Sequence, residues 1–115
     1  MSKMRVLVVE DEALVAMLLE DMVADAGHEH VFTAGSVAEA LDYVRDRAAE
    51  FDFAVLDVNL GGQPSYPVAE ALDQAGKGFA FSTGYGAGSL PEAWRGRPVL
   101  SKPFGSAEVA KVLNG

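Results

Sequence analysis

The chain predicts an α/β protein with a doubly wound parallel sheet, and three observations carry that prediction. Short apolar runs alternate along its length with segments of helical period. Two of the runs, MRVLVV from Met4 to Val9 and the stretch Phe53 to Leu56 inside FDFAVLDVNLGG, are continuous, as strands buried on both faces are. Four of the runs end on polar groups, where open α/β sheets place their ligands.

The first strand stops at Glu10, Asp11 and Glu12. From Ala13 the period lengthens: Leu14, Leu18 and Met22 recur every four residues beside Val15 and Leu19, and this stripe predicts a helix with that face inward. Gly27 marks its end. HEHVFT, His28 to Thr33, is a weaker strand, in which the two histidines read as ordinary edge residues. Ser36 and Glu39 form a capping box before Val37, Ala40, Leu41, Val44 and Ala48, the inner positions of a second helix.

After the strand that ends on Asp57, the loop from Asn59 to Pro67 leads into a third helix over Val68–Ala75, closed by Gly76. The fourth strand lies within Lys77–Ser82, with Thr83 at its end. A short fourth helix is expected between Gly84 and Gly96, started by Ser89 and Pro91. The fifth strand is Arg97–Ser101. Ser106 caps a last helix whose apolar positions are Val109, Val112 and Leu113.

At 115 residues the chain is one domain, residues 1–115, with enough length for a core of its own. Its net charge of −8 argues against nucleic acid and anionic membrane as direct partners, since both require clustered Lys and Arg. Solubility is the plain reading of that charge. Cysteine is absent, which excludes disulfides, thiolate metal sites and a cysteine nucleophile. The N-terminal apolar run is too short for a signal peptide or a membrane span, so the expected location is cytoplasmic.

In a parallel sheet the carboxyl ends of all strands lie along one edge. Glu10 and Asp11, Asp57, Thr83 and Lys102 therefore converge. Carboxylates held together repel one another, and a divalent cation resolves the repulsion. Oxygen donors without His or Cys favour Mg²⁺. A carboxylate can attack phosphorus to form an acyl phosphate, a transfer that needs little beyond alignment and charge neutralisation. Taken singly the same residues are bland: an acidic helix start, a surface lysine, a strand-end threonine.

VLVVEDE, LDVNL, FSTG and SKPF, in this order and over the whole chain, resemble the receiver domain of bacterial two-component response regulators. The resemblance implies a flavodoxin-like (βα)5 fold with strand order 2-1-3-4-5 and a regulatory phosphoacceptor rather than an enzyme. It implies Asp57 as phosphoacceptor, taking its phosphoryl group from a sensor histidine kinase or a histidine phosphotransfer protein. Glu10 and Asp11 then hold Mg²⁺ with Asp57 and the backbone carbonyl of Asn59. Thr83 is the switch hydroxyl, Lys102 the phosphate-binding lysine, and Lys102–Pro103 resembles the family's cis bond.

The aromatic residue that many receivers place two positions before the lysine is Leu100 here. Phe81 to Tyr85 with Gly84 and Gly86 instead resemble the FATGUY subgroup, with Ser82 in place of alanine. The expectation is that phosphorylation orders residues 83–96, moves Tyr85, and rebuilds an output face containing Trp94 and Val109–Leu113. The chain stops directly after the last helix, so a stand-alone regulator, monomeric or weakly dimeric, with a downstream protein target is expected. Two other readings compete. A phosphohydrolase of the haloacid-dehalogenase type would resemble DxDxT, but Asn59 stands where its second acid belongs. A degenerate receiver used only for docking would have lost acids that this chain keeps. GYGAG is not GxGxxG and follows the fourth strand, against a dinucleotide site.

Overall fold

The computed structural model describes residues 3–115, apart from the side chain of Ala87. The strands are β1 (Arg5–Val9), β2 (Glu29–Ala34), β3 (Phe53–Asp57), β4 (Gly78–Thr83) and β5 (Val99–Ser101). They form one parallel sheet in the order 2-1-3-4-5, the flavodoxin-like arrangement. The two continuous apolar runs occupy its middle as β1 and β3, covered on both faces.

Four α-helices cover the sheet: α1 (Ala13–Asp25), α2 (Val37–Asp46), α3 (Tyr66–Gln74) and α4 (Ser106–Asn114). Val6, Val8, Val55 and Leu100 point toward Leu19 and Val23 of α1 and Val109 and Leu113 of α4. Leu7, Val9, Ala54, Leu56, Phe79 and Phe81 point the other way, toward Ala40 and Val44 of α2 and Ala69 and Leu72 of α3. The alternation follows from the two-residue period of a strand.

Three expectations are corrected. The face of α1 that meets the sheet is Ala16, Leu19 and Val23, whereas Leu14 is 65% and Leu18 49% exposed, with Met17 beside them. This helix is apolar on both sides, so periodicity could not say which side the sheet would take. Ala16, small enough for close approach, marks the covered one.

The fourth helix does not form. The crossover from β4 to β5 contains only two single 3₁₀ turns, Ala87–Ser89 and Glu92–Trp94. Its first turn would have to fix several residues for one hydrogen bond, with Gly84, Gly86 and Gly88 each costing about 1 kcal/mol relative to alanine. Gly86 and Gly96 adopt left-handed backbone instead, at φ 78° and 97°. Leu90 and Trp94 hold this crossover to the core. Trp94 stands edge-on to Phe79 and Phe81 at 6.1 and 6.0 Å. The cap of the last helix is Gly105 rather than Ser106, which is the first helical residue, with Glu108 accepting from the Gly105 N–H at 2.9 Å.

Two side chains, Arg5 and His28, have partners far away in the sequence. Arg5 makes two side-chain bonds to the Asp52 carboxylate, at 3.1 and 3.0 Å, and holds it at about 2 on the pH scale. His28 is buried just before β2. Its Nδ1 accepts the Met4 N–H at 3.0 Å, and its Nε2 lies 2.6 Å from the Asn114 Oδ1. Arg5 thus joins β1 to the turn before β3, and His28 joins the start of β1 to the end of α4.

Candidate functional site

The carboxyl ends of β1, β3, β4 and β5 open onto a cleft of about 640 Å³ lined by Asp11, Glu12, Asp57, Asn59, Thr83, Tyr85 and Lys102 among others. Asp57 is the last residue of β3, and its backbone is fixed by pairing with β4 on one side of the sheet. The side chain is 6% exposed and has both oxygens engaged. Oδ1 accepts the Asn59 N–H at 3.1 Å, and Oδ2 accepts from Lys102 Nζ at 2.9 Å.

Lys102 also donates to Glu10 Oε1 at 3.2 Å. One ammonium therefore bridges two buried carboxylates from different strands. Burial works against its charge, but the bonds to Asp57 and Glu10 outweigh that, and the lysine is held above its ordinary range. Glu10, only 3% exposed, titrates near 7. Burial is the main cause, the Glu12 N–H opposes it, and the negative charge of Asp57 adds to it. The peptide bond between Lys102 and Pro103 is cis, as the resemblance implied.

Glu10, Asp11 and Glu12 can bring one carboxylate oxygen each within 4.8 Å of the others. Glu10 Oε2 accepts the Glu12 N–H at 3.0 Å, and Asp11 Oδ2 accepts the Gly61 N–H at 3.0 Å, which aims both acids along the same edge. An all-oxygen set with two exposed members fits a small hard cation that keeps several of its waters. Glu12, which the sequence marked only as part of an acidic turn, belongs to this group. The signal for it was its place two residues beyond Glu10.

Thr83 ends β4 and is buried. Its Oγ1 accepts the Tyr85 N–H at 3.1 Å, and its carbonyl accepts the Lys102 N–H at 2.8 Å. Asn59 lies on a two-residue strand that pairs with Gln63–Pro64, a small ribbon at the rim of the cleft. Tyr85 lies at the rim and is 87% exposed, with Gly84 and Gly86 on either side. Trp94 is not at the cleft; it covers Phe79 and Phe81, and Val109 and Leu113 are core residues.

The profile of the response regulator receiver domain matches residues 6–81, well over half of the chain. The chain belongs to that family. The solution structure of SdrG from Sphingomonas melonis Fr1 is 46% identical to this receiver, with a TM-score of 0.85, and covers 99% of this chain and 97% of SdrG. A second one, of the BeF3-activated conformation of SdrG from Pseudomonas melonis Fr1, is 45% identical at a TM-score of 0.82, covering 99% and 97%. The transcriptional regulatory protein CitT of Halalkalibacterium halodurans is 44% identical over 55 residues, 47% of this chain but only 24% of CitT.

Receiver domains are regulatory phosphoacceptors and generally not catalytic enzymes, so membership of the family favours that reading over the phosphohydrolase one. They typically bind Mg²⁺ at an acidic pocket and interact with kinases or phosphotransfer proteins. Among the described residues, no helix is long and apolar enough to cross a membrane.

Proposed function

We propose that this receiver takes a phosphoryl group from a phosphohistidine onto Asp57 and signals to proteins by rearranging residues 83–96. The single observation that carries the reading is the Lys102 ammonium bridging Asp57 and Glu10 at the mouth of the cleft.

An Asp57 oxygen attacks phosphorus, the phosphorus–nitrogen bond breaks, and the imidazole leaves with its bonding electron pair and takes a proton. An acyl phosphate remains on Asp57. Lys102 shifts its bond from the Asp57 carboxylate to a phosphoryl oxygen, keeping charge balanced as negative charge arrives. Thr83, whose hydroxyl hydrogen remains available while its oxygen accepts from Tyr85, turns that hydrogen toward another phosphoryl oxygen. Glu10, Asp11, Asp57 and the Asn59 carbonyl would hold Mg²⁺, with Glu12 close enough to contribute through water. When bound, the ion would supply further positive charge to the phosphoryl group.

Movement of Thr83 pulls on Tyr85 through the bond that joins them. The crossover after it has no helix to resist, and this is how Gly84, Tyr85 and Gly86 become the switch, as FATGUY-type receivers suggest. Asp11 and Glu12, which would help hold the cation, and Asp57, Thr83 and Lys102 all line one opening, so the donor must approach there. Leu14, Met17 and Leu18 on α1 present an exposed apolar surface beside that opening, with Phe104 across a small groove lined also by Val15, Met22 and Pro103. We assign it to the phosphohistidine donor.

Incubation with Mg²⁺ and a small phosphodonor tests the nucleophile. Wild type forms an acid-stable, base-labile adduct, and Asp57→Asn loses it by at least about a hundredfold. Equal labelling of the two overturns the assignment.

A further inference from the structure

Two buried hydroxyls, those of Ser65 and Ser82, have no hydrogen-bond partner among the described residues. Ser65 stands just before α3, and its exposure is 0%; Ser82 is 1% exposed and stands on β4 beside Asp57. A buried hydroxyl left unpaired costs free energy, so an orphan in a site calls for a partner that arrives later.

Ser82 is the cross-strand partner of Asp57 on β3 and of Leu100 on β5. Paired residues of neighbouring strands point to the same face, with strands about 4.8 Å apart. Val55 and Leu100 fix which face it is, the one covered by α1 and α4. The Ser82 side chain therefore stands beside that of Asp57, on the same face of the neighbouring strand. In the unmodified site that carboxylate is already engaged at both oxygens, by Asn59 and by Lys102.

We propose that Ser82 donates its hydroxyl hydrogen to the Asp57 acyl oxygen once phosphorylation draws Lys102 away, and thereby shortens the life of the acyl phosphate. The inference rests on the reading of Asp57 as phosphoacceptor. In hydrolysis a water oxygen bonds to phosphorus, the phosphorus–oxygen bond to Asp57 breaks, and the water's proton passes to solvent. Negative charge grows on the departing carboxylate, and a donor aimed at it stabilises that change. Leu100 leaves this donor undisturbed, because it cannot compete for the same oxygen.

The test is the decay of the purified phosphorylated receiver after the phosphodonor is removed, in wild type, Ser82→Ala and Ser65→Ala. The expected result is a lifetime about fivefold longer in Ser82→Ala, the effect of one neutral hydrogen bond. Ser65→Ala, which removes the orphan that is not the cross-strand partner of Asp57, keeps the wild-type lifetime. The acyl carbonyl stretch moves to higher frequency in Ser82→Ala alone. Labelling with unchanged decay and unchanged stretch in Ser82→Ala overturns the role of Ser82 and leaves Asp57 standing. Failure of wild type to label overturns the phosphoacceptor reading and this one with it.

Discussion

The two sides of the cleft are built on opposite terms. On one side Glu10 and Asp57 are buried at the ends of the two central strands and bridged by Lys102. On the other, the crossover from Gly84 to Gly96 has two isolated 3₁₀ turns and an exposed Tyr85. Groups that perform chemistry must keep their spacing to a fraction of an ångström. A segment that reports on the chemistry must be cheap to rearrange, and regions with few buried contacts open at low cost. The difference teaches that the fold buries and bridges its strand-end acids while leaving the crossover after β4 thinly held.

The largest effect that could break this comparison is at Glu10. Its carboxyl titrates near 7 in the folded protein against an ordinary 4.5. The folded state thus binds the extra proton. The stability it contributes is complete below about 4.5 and is lost as pH rises through 7. Without divalent cations, Glu10→Gln removes that loss and is more stable than wild type at pH 8 by about 1–3 kcal/mol, with little difference at pH 4. Urea midpoints at the two pH values measure it. A variant equally destabilised at both would mean that the buried side is not strained by its own charge.

An intermediate effect concerns the loose side. Amide exchange over residues 84–96 slows by about tenfold when beryllofluoride occupies Asp57, while β1 and β3 change little. Identical protection in the two states would remove the proposed switch. The smallest effect is at Gly84, whose φ is not positive and where a Cβ would meet nothing within 4 Å. Gly84→Ala raises stability by about 0.4–1 kcal/mol through the unfolded chain, read as a shift in the thermal midpoint. It should also weaken the change in exchange, since part of the freedom has been removed in advance.

Much of this was legible in the residues, for physical reasons that differ along the chain. β1 and β3 were readable because a strand buried on both faces admits no polar residue, and each run ends abruptly at the acid the site uses. The convergence of Glu10, Asp57, Thr83 and Lys102 follows from alternation once the sheet is parallel, whereas the strand order 2-1-3-4-5 was implied only by the resemblance to receiver domains. The covered face of α1 was not readable, because Leu14 and Leu18 are as apolar as Leu19 and only the sheet selects between them. The expected fourth helix rested on Ser89 and Pro91, start signals without the length behind them to meet the nucleation cost. His28 was passed over because its partners, Met4 and Asn114, lie far away in sequence and near only in the fold. Ser82 was visible as a departure, but its meaning needed the register that sets it beside Asp57.

His28 has a practical consequence. It lies at the amino-terminal edge of the sheet, opposite the edge that carries Asp57, and binds the backbone of Met4 to the side chain of Asn114. Both ends of the described chain are thereby buckled together on the far side of the molecule. A tether, dye or solid support attached through either end would leave the cleft turned toward solution, open to whatever docks there.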